Sequence, residues 1–241
     1  MTRATSLPQA LLLDLDDTIL DDSSLVDGCW REACADQAGR LGSFQADAVA
    51  EAIRTMSRWF WANPERHRAG RLELDAARRE VVRLALLEMG IADAALAADI
   101  GDGYSHRRDS RMEPLPDAID TVRSFRESGC RLALLTNGAG PAQRRKIARF
   151  GLEVLFDAIL VEGELGFGKP DERVYRQALE ALKVRPADAW MVGDNLEWDV
   201  AAPQKLGIVG VWVDRRGSGV PVTSRVVPDR VVPALSALRS L

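Results

Sequence analysis

The chain has 241 residues, enough to bury a sizeable core in one large domain or in a core with a smaller companion. Its hydrophobic content of 46% and charged content of 28% are ordinary for a globular protein and exclude a disordered one. The net charge of −4 argues against a nucleic-acid-binding protein, which needs a basic face to neutralise phosphates.

The cysteines and the N-terminal region bear on location and partners. Cys29, Cys34 and Cys130 are too few and too unevenly spaced for a disulfide framework or a Cys-x-x-Cys metal site, which favours a reducing, cytoplasmic location. Near the N-terminus the only apolar run is short and acidic residues follow it at once, so neither a signal peptide nor a membrane span is predicted. We expect no nucleic acid or membrane as a partner, and a monomer or a homodimer.

An acidic pentapeptide, Asp14-Leu15-Asp16-Asp17-Thr18, follows the apolar run at residues 10–13. Such a run is typical of a strand buried on both faces, and the carboxyl edge of an open parallel sheet is where ligands bind. A bend after the strand can aim Asp14 and Asp16 into one crevice, where they divide the roles of nucleophile and proton donor. Taken alone, the pentapeptide fits a solvated turn or a helix cap equally well.

The strand pattern vanishes between residues 21 and 111. Amphipathic helices are predicted there at 25–41, 46–61 and 72–89, separated by turn residues. We therefore predict an α-helical cap domain over 21–111, inserted into a core made of 1–20 and 112–241. Because this insertion leaves the core just after the acidic strand end, we expect it to act as a lid over the same crevice.

From Pro116 onward, helical and apolar segments alternate, with turn residues between them. This alternation predicts an α/β fold with a doubly wound, Rossmann-like parallel sheet, to which the strand at 10–13 belongs. The predicted helices are 116–128, 141–150, 171–182 and 199–206; the predicted strands are 131–135, 158–161, 190–192 and 208–213, with a last strand end and helix within 231–241.

Two polar signals follow predicted strands in this region. Thr136, with the backbone N–H groups of Asn137 and Gly138, can hold oxyanions ahead of a helix, although Asn-Gly also forms plain turns. Lys169 places an ammonium in the loop before the next helix. The chain has only four lysines against 28 arginines, which weakly favours a specific role for it over a solvated loop charge.

A third signal, Asp194 and Asp199, follows the strand predicted at 190–192. Carboxylate oxygens suit Mg²⁺, which usually takes one or two carboxylates and keeps waters and a substrate phosphate as its other ligands. Asp199 can instead be a plain helix cap. The acidic and polar signals together fall at successive strand ends in a fixed order.

This layout resembles the haloacid dehalogenase superfamily, and the matching motifs are Asp14-x-Asp16-x-Thr18, Thr136, Lys169-Pro170 and Gly193-Asp194-x4-Asp199. The resemblance covers the core at both ends of the chain, while the helical segment matches only in position and character, as a cap after the first motif. It implies a phosphatase that uses Mg²⁺ to hydrolyse a small phosphate ester, such as a sugar phosphate or a nucleoside monophosphate.

For the reaction itself, the resemblance implies that Asp14 attacks phosphorus and forms an aspartyl phosphate. Asp16 first protonates the leaving oxygen and then activates water. Thr136, Asn137 and Lys169 are the implied binding groups for the phosphate.

For the metal, the resemblance implies that Asp14, Asp194 and the backbone carbonyl of Asp16 bind Mg²⁺, and that Asp199 supports it through water. The physical chemistry agrees, because several carboxylates cannot share a pocket with a phosphate dianion unless cations offset the repulsion. Lys169 and Mg²⁺ supply that offset.

Three other activities are weighed against the phosphatase. Asp16 speaks against dehalogenation, because family dehalogenases lack a carboxylate at that position. A sugar phosphomutase stays open, since it uses both acids; Asp17, where many relatives carry glycine, leans slightly toward phosphatases resembling nucleotidases and acylneuraminate phosphatases. A catalytically silent, phosphate-binding regulatory protein also stays open, although the intact motifs speak against it.

Substrate identity is expected to reside in the cap. Aromatic residues at 59–61 precede a basic run at 66–71, a mixture that can stack a ring and bind an anion. The alternative is that the aromatic side chains pack within the cap and the arginines form a solvated face. His67 and His106 are the only histidines, and nothing pairs them into a metal site.

Overall fold

A computed structural model of the chain describes residues 8–240. The chain divides into two compact units: the first holds the chain up to Asp21 and from Glu113 onward, and the second is Asp22–Met112. The core predicted from the sequence begins at residue 1 and the last predicted helix ends at Leu241. Residues 1–7 and Leu241 lie outside the described residues.

The first unit is built on a parallel sheet of six strands. The strands are β1 (Ala10–Leu13), β2 (Arg131–Thr136), β3 (Ala158–Val161), β4 (Ala189–Gly193), β5 (Val209–Val213) and β6 (Arg230–Val232). Their order is β3-β2-β1-β4-β5-β6, and every neighbouring pair is parallel. This is a doubly wound sheet, whose ligand crevice lies at the carboxyl ends of the strands where the winding reverses, here between β1 and β4. The predicted fold class is confirmed.

The α-helices are α1 (Val26–Ala35), α2 (Ala46–Ala62), α3 (Pro64–Leu72), α4 (Leu74–Glu88), α5 (Ala94–Arg111), α6 (Ala118–Glu127), α7 (Gly140–Arg149), α8 (Glu162–Leu165), α9 (Glu172–Leu182) and α10 (Ala202–Gln204). Short 3₁₀ helices lie at Ala38–Arg40, Glu153–Leu155, Pro186–Asp188 and Leu235–Ser240. A π-helical turn, Leu196–Ala201, directly precedes α10.

The central strand β1 explains why this sheet forms. All four of its side chains are fully buried, as a strand covered on both faces requires. Leu12 belongs to a cluster in which α9 packs on the sheet through Val174, Tyr175 and Ala178. Side chains alternate along a strand, so Leu11 and Leu13 point to the opposite face.

The predicted strands agree with β1 to β5 within one residue at each end, and β6 lies at the start of the segment where a last strand end and helix were predicted without separate bounds. The helix predicted at 199–206 is different, because the chain first makes the π-helical turn. Its N-terminus is capped by Asn195, whose side-chain oxygen accepts hydrogen bonds from the N–H groups of Glu197 at 3.1 Å and Trp198 at 3.0 Å. This cap starts the helical segment ahead of Asp199, which lies inside the turn.

The sequence pattern missed two helices of the second unit, α3 and α5. Asn63-Pro64 breaks the pattern but starts α3, since the Asn63 side chain accepts from the Arg66 N–H at 2.9 Å and Pro64 is the first helical residue. In α5, Gly101 weakens the apolar pattern, yet a Cβ there would lie 3.1 Å from the Arg79 backbone. The glycine therefore lets α4 and α5 approach closely.

The helix predicted at 25–41 also differs from the structure. The α-helix ends at Ala35, and a separate 3₁₀ turn, Ala38–Arg40, follows. The core of this unit includes Trp30, which stacks on Tyr104 with ring centroids 3.5 Å apart. None of the helices within residues 8–240 combines the length and apolar character needed to cross a membrane.

The segment at 59–71 packs α2 against α3. Arg66 lies 3.8 Å over the Trp59 ring and donates hydrogen bonds to the carbonyl oxygens of Trp59 and Phe60. Trp61 packs so closely on Gly70 that a Cβ there would lie 2.9 Å from its ring. Phe60 is buried and Trp61 packs on Gly70, which supports the packing interpretation for these two residues, whereas Trp59 is exposed and is covered on one face by Arg66. A role in substrate selection, and the action of the insertion as a lid, stay predictions.

Gly210 in β5 provides a test of the packing beneath the π-helical turn. A Cβ there would lie 2.9 Å from Val200 Cγ1 and 3.0 Å from Val200 Cα, so the strand and the turn cannot both stay in place. We expect Gly210→Ala to lower the free energy of unfolding by about 1–3 kcal/mol, as overpacking does.

The matched control is Gly28→Ala in α1, where an added Cβ meets nothing within 4 Å. Removing an exposed helix glycine should stabilise the chain by up to about 1 kcal/mol. Denaturant unfolding of both variants measures the difference. A Gly210→Ala protein as stable as wild type would contradict the close packing of Gly210 against Val200.

Candidate active site

The polar residues predicted from the sequence gather at the carboxyl edge of the sheet. Asp14 follows β1, Thr136 ends β2 and Asp194 follows β4. The Asp14 N–H donates to the carbonyl oxygen of Val192 at 3.0 Å, which extends the pairing of β1 with β4 by one residue. The candidate site therefore lies where the winding of the sheet reverses, the usual ligand position in this architecture.

The ammonium of Lys169 occupies the centre of this cluster. Its Nζ lies 2.6 Å from Asp14 Oδ1 and 2.7 Å from Asp199 Oδ1, and only 2% of the residue is exposed. Burial by itself would lower the pKa of Lys169, but the two carboxylates outweigh it and raise that pKa. Lys169 is therefore a buried cation. Its direct pairing with Asp199 was not predicted from the sequence.

Asn137 holds the backbone of Lys169 in place. Its Oδ1 accepts from the Lys169 N–H at 2.8 Å, and its Nδ2 donates to the Lys169 carbonyl at 2.6 Å. The neighbouring Gly168 makes this possible, since a Cβ there would lie 2.4 Å from Asn137 Oδ1. The side chain of Asn137 thus positions Lys169, and a phosphate contact from Asn137 stays a prediction. The N–H of Gly138 already donates to Glu162 Oε2 at 3.0 Å.

Asp14 lies between two donors. Lys169 holds Oδ1, and the hydroxyl of Thr18 donates to Oδ2 at 3.2 Å. Burial raises the pKa of Asp14 to about 7; Lys169 opposes this effect, while Asp199 and Asp16 add to it. More positive charge is therefore needed at this point to keep Asp14 fully ionised.

Asp194 and Asp199 complete an acidic cluster with Asp14. Oxygen atoms of the three carboxylates lie within 4.8 Å of one another. Burial of its carboxyl group is the larger cause, and repulsion from Asp14 and Asp199 the smaller, that together raise the pKa of Asp194 to about 8. Asp194 nevertheless keeps a face open to solvent.

The charges in this cluster favour a divalent cation. Three carboxylates face the single ammonium of Lys169, so the group carries two unbalanced negative charges when fully ionised. The donors are carboxylate oxygens, which match the preference of Mg²⁺. Trp212 Nε1 donates to the Asp194 carbonyl at 2.7 Å and fixes the backbone that carries the exposed carboxylate. These residues fit a magnesium ion.

Both carboxylate oxygens of Asp199 are engaged by the protein. Oδ1 accepts from Lys169, and Oδ2 accepts from the Asn195 N–H at 3.0 Å. Gly193 permits this close approach, since a Cβ there would lie 2.2 Å from Asp199 Oδ2. Asp199 therefore supports Lys169 directly, and its support of a metal through water stays a prediction.

Asp16 is held by helix α7, a contact that the sequence pattern did not predict. Lys146 Nζ lies 2.7 Å from Asp16 Oδ1, and Gln143 Nε2 lies 2.9 Å from Oδ2. Gln143 also donates to Thr136 Oγ1. The one sequence feature that points to this contact is the spacing of Gln143 and Lys146, which lie three residues apart and therefore on one helix face.

The backbone conformation of Asp17 explains why many relatives carry glycine at this position. Its φ of 60° is left-handed, a region that glycine adopts freely and that aspartate tolerates better than most residues. Its carboxylate pairs with Arg215 Nη1 at 2.8 Å. The turn after β1 is thus anchored to the segment that follows β5.

Comparison with known proteins identifies the family of this chain. Residues 8–207 match the haloacid dehalogenase-like hydrolase family model, and the chain belongs to that family. It is 39% identical over 223 residues to the phosphoserine phosphatase of Thermus thermophilus, spanning 85% of this chain and 88% of that protein. It is 28% identical over 211 residues to the glyceraldehyde 3-phosphate phosphatase of Methanopyrus kandleri, spanning 87% and 84%.

Among solved structures, the fold is shared with the HAD-hydrolase YfnB of Bacillus subtilis, which was crystallised bound to magnesium. The TM-score is 0.74 at 20% identity, with 98% of each chain covered. The family predicted from the motifs is confirmed, and the chain is a phosphoric monoester hydrolase.

The raised pKa values of Asp14 and Asp194 predict how stability depends on pH without metal. The folded protein binds these protons more tightly than the unfolded chain, so stability falls as pH rises from about 3.8 to about 8. In the presence of a chelator at pH 8, Asp194→Asn should unfold at a higher temperature than wild type, by about 2–4 °C per kcal/mol of relieved repulsion.

The measurement is thermal unfolding of wild type and Asp194→Asn at pH 6 and pH 8, with and without Mg²⁺. Asp120→Asn, an exposed site, is the matched control and should behave as wild type. Mg²⁺ should stabilise wild type and have much less effect on Asp194→Asn. Equal responses of wild type and Asp194→Asn to pH and Mg²⁺ would exclude this residue from the charge cluster.

Proposed function

We propose that this phosphatase is Mg²⁺-dependent and hydrolyses a small metabolite phosphorylated on a primary hydroxyl, through an aspartyl phosphate on Asp14. The observation that carries the proposal is the buried Asp14 carboxylate, which follows β1 and lies between the Lys169 ammonium and the Thr18 hydroxyl. A positioned carboxylate beside a cation is suited to attack on an anionic phosphate, since the cation offsets the repulsion.

In the proposed reaction, an oxygen of Asp14 bonds to phosphorus as the ester oxygen departs with the bonding electrons and takes a proton from Asp16. Water then attacks phosphorus and gives a proton to Asp16, while the electrons of the breaking bond return to Asp14. Thr136 and Lys169 bind the phosphoryl oxygens. A magnesium ion held by Asp14, Asp194 and the Asp16 carbonyl would supply positive charge for the phosphate.

The substrate class is inferred from relatives that match most of the chain. Phosphoserine and glyceraldehyde 3-phosphate, the compounds in their names, are both small esters of a primary alcohol. Many sugar phosphates and nucleoside 5′-monophosphates share that chemistry. An alkoxide is a poor leaving group, so this class needs a proton donor at the position of Asp16.

A panel of phosphate esters tests the substrate class. We expect phosphate release from primary alkyl phosphates, with phosphoserine and sugar phosphates tested first, and loss of release when Mg²⁺ is chelated. Replacing Mg²⁺ by Ca²⁺ should inhibit, because the larger and looser coordination of Ca²⁺ misplaces the attacking group. Turnover confined to secondary alkyl esters would contradict the class. Phosphoryl transfer between sugar hydroxyls would indicate a phosphomutase, and no turnover at all a regulatory protein.

Asp14→Asn tests the nucleophile. The amide has nearly the same shape but cannot form an acyl phosphate, so we expect turnover of an aryl phosphate and of phosphoserine to fall by about four orders of magnitude or more. Unfolding curves establish that the variant is folded, and Asp120→Asn should keep wild-type activity. Substantial turnover by a folded Asp14→Asn protein would contradict the covalent mechanism.

A further inference from the structure

The Asp16 carboxylate is held at both of its oxygens by one helix. Lys146 Nζ donates to Oδ1 at 2.7 Å, and Gln143 Nε2 donates to Oδ2 at 2.9 Å. Two donors on different oxygens fix the rotation of the carboxylate plane, which a single contact would leave open. Residues three apart lie on the same face of a helix, so both donors move with α7 as a unit.

The same helix is tied to the predicted phosphate-binding loop. Gln143 is 3% exposed, and besides Asp16 it donates to Thr136 Oγ1 and to the Asn137 carbonyl. The helix begins at Gly140, only four residues after the end of β2 at Thr136. The position of the Asp16 carboxylate is therefore set relative to the group expected to hold the phosphate.

Lys146 is the charged member of this arrangement. Its side chain is 17% exposed and that of Asp16 is 28% exposed, so the pair is more shielded from water than an ordinary surface ion pair. A charge-assisted hydrogen bond of this kind is roughly twice as strong as a neutral one. Both partners of the Lys146–Asp16 contact are charged, whereas Gln143 is neutral, so Lys146 is expected to be the stronger of the two restraints on Asp16.

We propose that Lys146, together with Gln143, is a positioning residue for the proton transfers of the reaction, and that it acts by orienting the Asp16 carboxylate. This inference rests on the proposed function, in which Asp16 donates a proton to the leaving oxygen and later accepts one from water. Lys146 acts through Asp16: its ammonium contacts the Asp16 carboxylate and sets where the Asp16 oxygens lie.

The two chemical steps should respond differently when this restraint is removed. An aryl phosphate has a good leaving group that departs without a proton donor, so formation of the aspartyl phosphate needs Asp16 little. Breakdown of the aspartyl phosphate needs an activated water for every substrate. With an aryl phosphate, loss of Lys146 should therefore slow the second step more than the first.

The experiment uses Lys146→Met and an aryl phosphate with Mg²⁺. We expect the steady-state rate to fall about 10- to 100-fold, the range associated with a misplaced catalytic group. At the same time, the fraction of enzyme recovered as phosphoenzyme after acid quenching should rise. A merely structural defect would lower the rate and the phosphoenzyme fraction together, because fewer molecules would be active.

Lys146→Arg keeps a cation and a donor and should restore most of the rate. Arg145→Met, an exposed cation on the same helix, is the matched control and should behave as wild type. Lys146→Gln gives the same test should Lys146→Met fail to fold. An unchanged rate, or a reduced rate without a rise in phosphoenzyme, would overturn the inference while leaving the proposed function intact. Substantial turnover by a folded Asp14→Asn protein would instead overturn the proposed function, and the inference with it.

Discussion

The ammonium of Lys169 between Asp14 and Asp199 is the interaction on which the rest of the site depends. It joins three segments that are distant in sequence: the end of β1, the loop before α9 and the turn after β4. Removing one partner of a buried ion pair typically costs about 3–5 kcal/mol, because the other charge is left buried without compensation. Two glycines make room for this arrangement: a side chain on Gly168 would collide with Asn137, and one on Gly193 would collide with Asp199.

The carboxylates of the same cluster repel one another in the absence of a bound cation. Asp14, Asp194 and Asp199 crowd together, and burial and mutual repulsion hold the pKa values of Asp14 and Asp194 well above the ordinary range. A divalent cation relieves that repulsion, and only then can a phosphate dianion approach the same carboxylates favourably. Metal binding and substrate binding are therefore expected to be coupled through Asp14.

The sequence was sufficient for the features that depend on local patterns. Buried strands are short apolar runs, and in a parallel sheet their polar ends meet at one edge, which is why the sequence pattern predicts that Asp14, Thr136 and Asp194 lie together. The place of Lys169 in the same site came from the family resemblance. Two ion pairs could not be predicted in this way, because only the fold brings their side chains together. They are Lys169 with Asp199 and Lys146 with Asp16. Helix α5 was missed for a related reason, since Gly101 serves close packing against α4 and leaves no apolar signal.

The stereochemical course at phosphorus tests the central claim, that Asp14 is a covalent nucleophile, most directly. The substrate is a phosphate ester made chiral at phosphorus with oxygen isotopes and sulfur, hydrolysed in isotopically labelled water. Attack by Asp14 followed by attack of water inverts phosphorus twice, so we expect net retention of configuration. Net inversion would show a single direct attack by water and would contradict the assignment of Asp14 as the nucleophile.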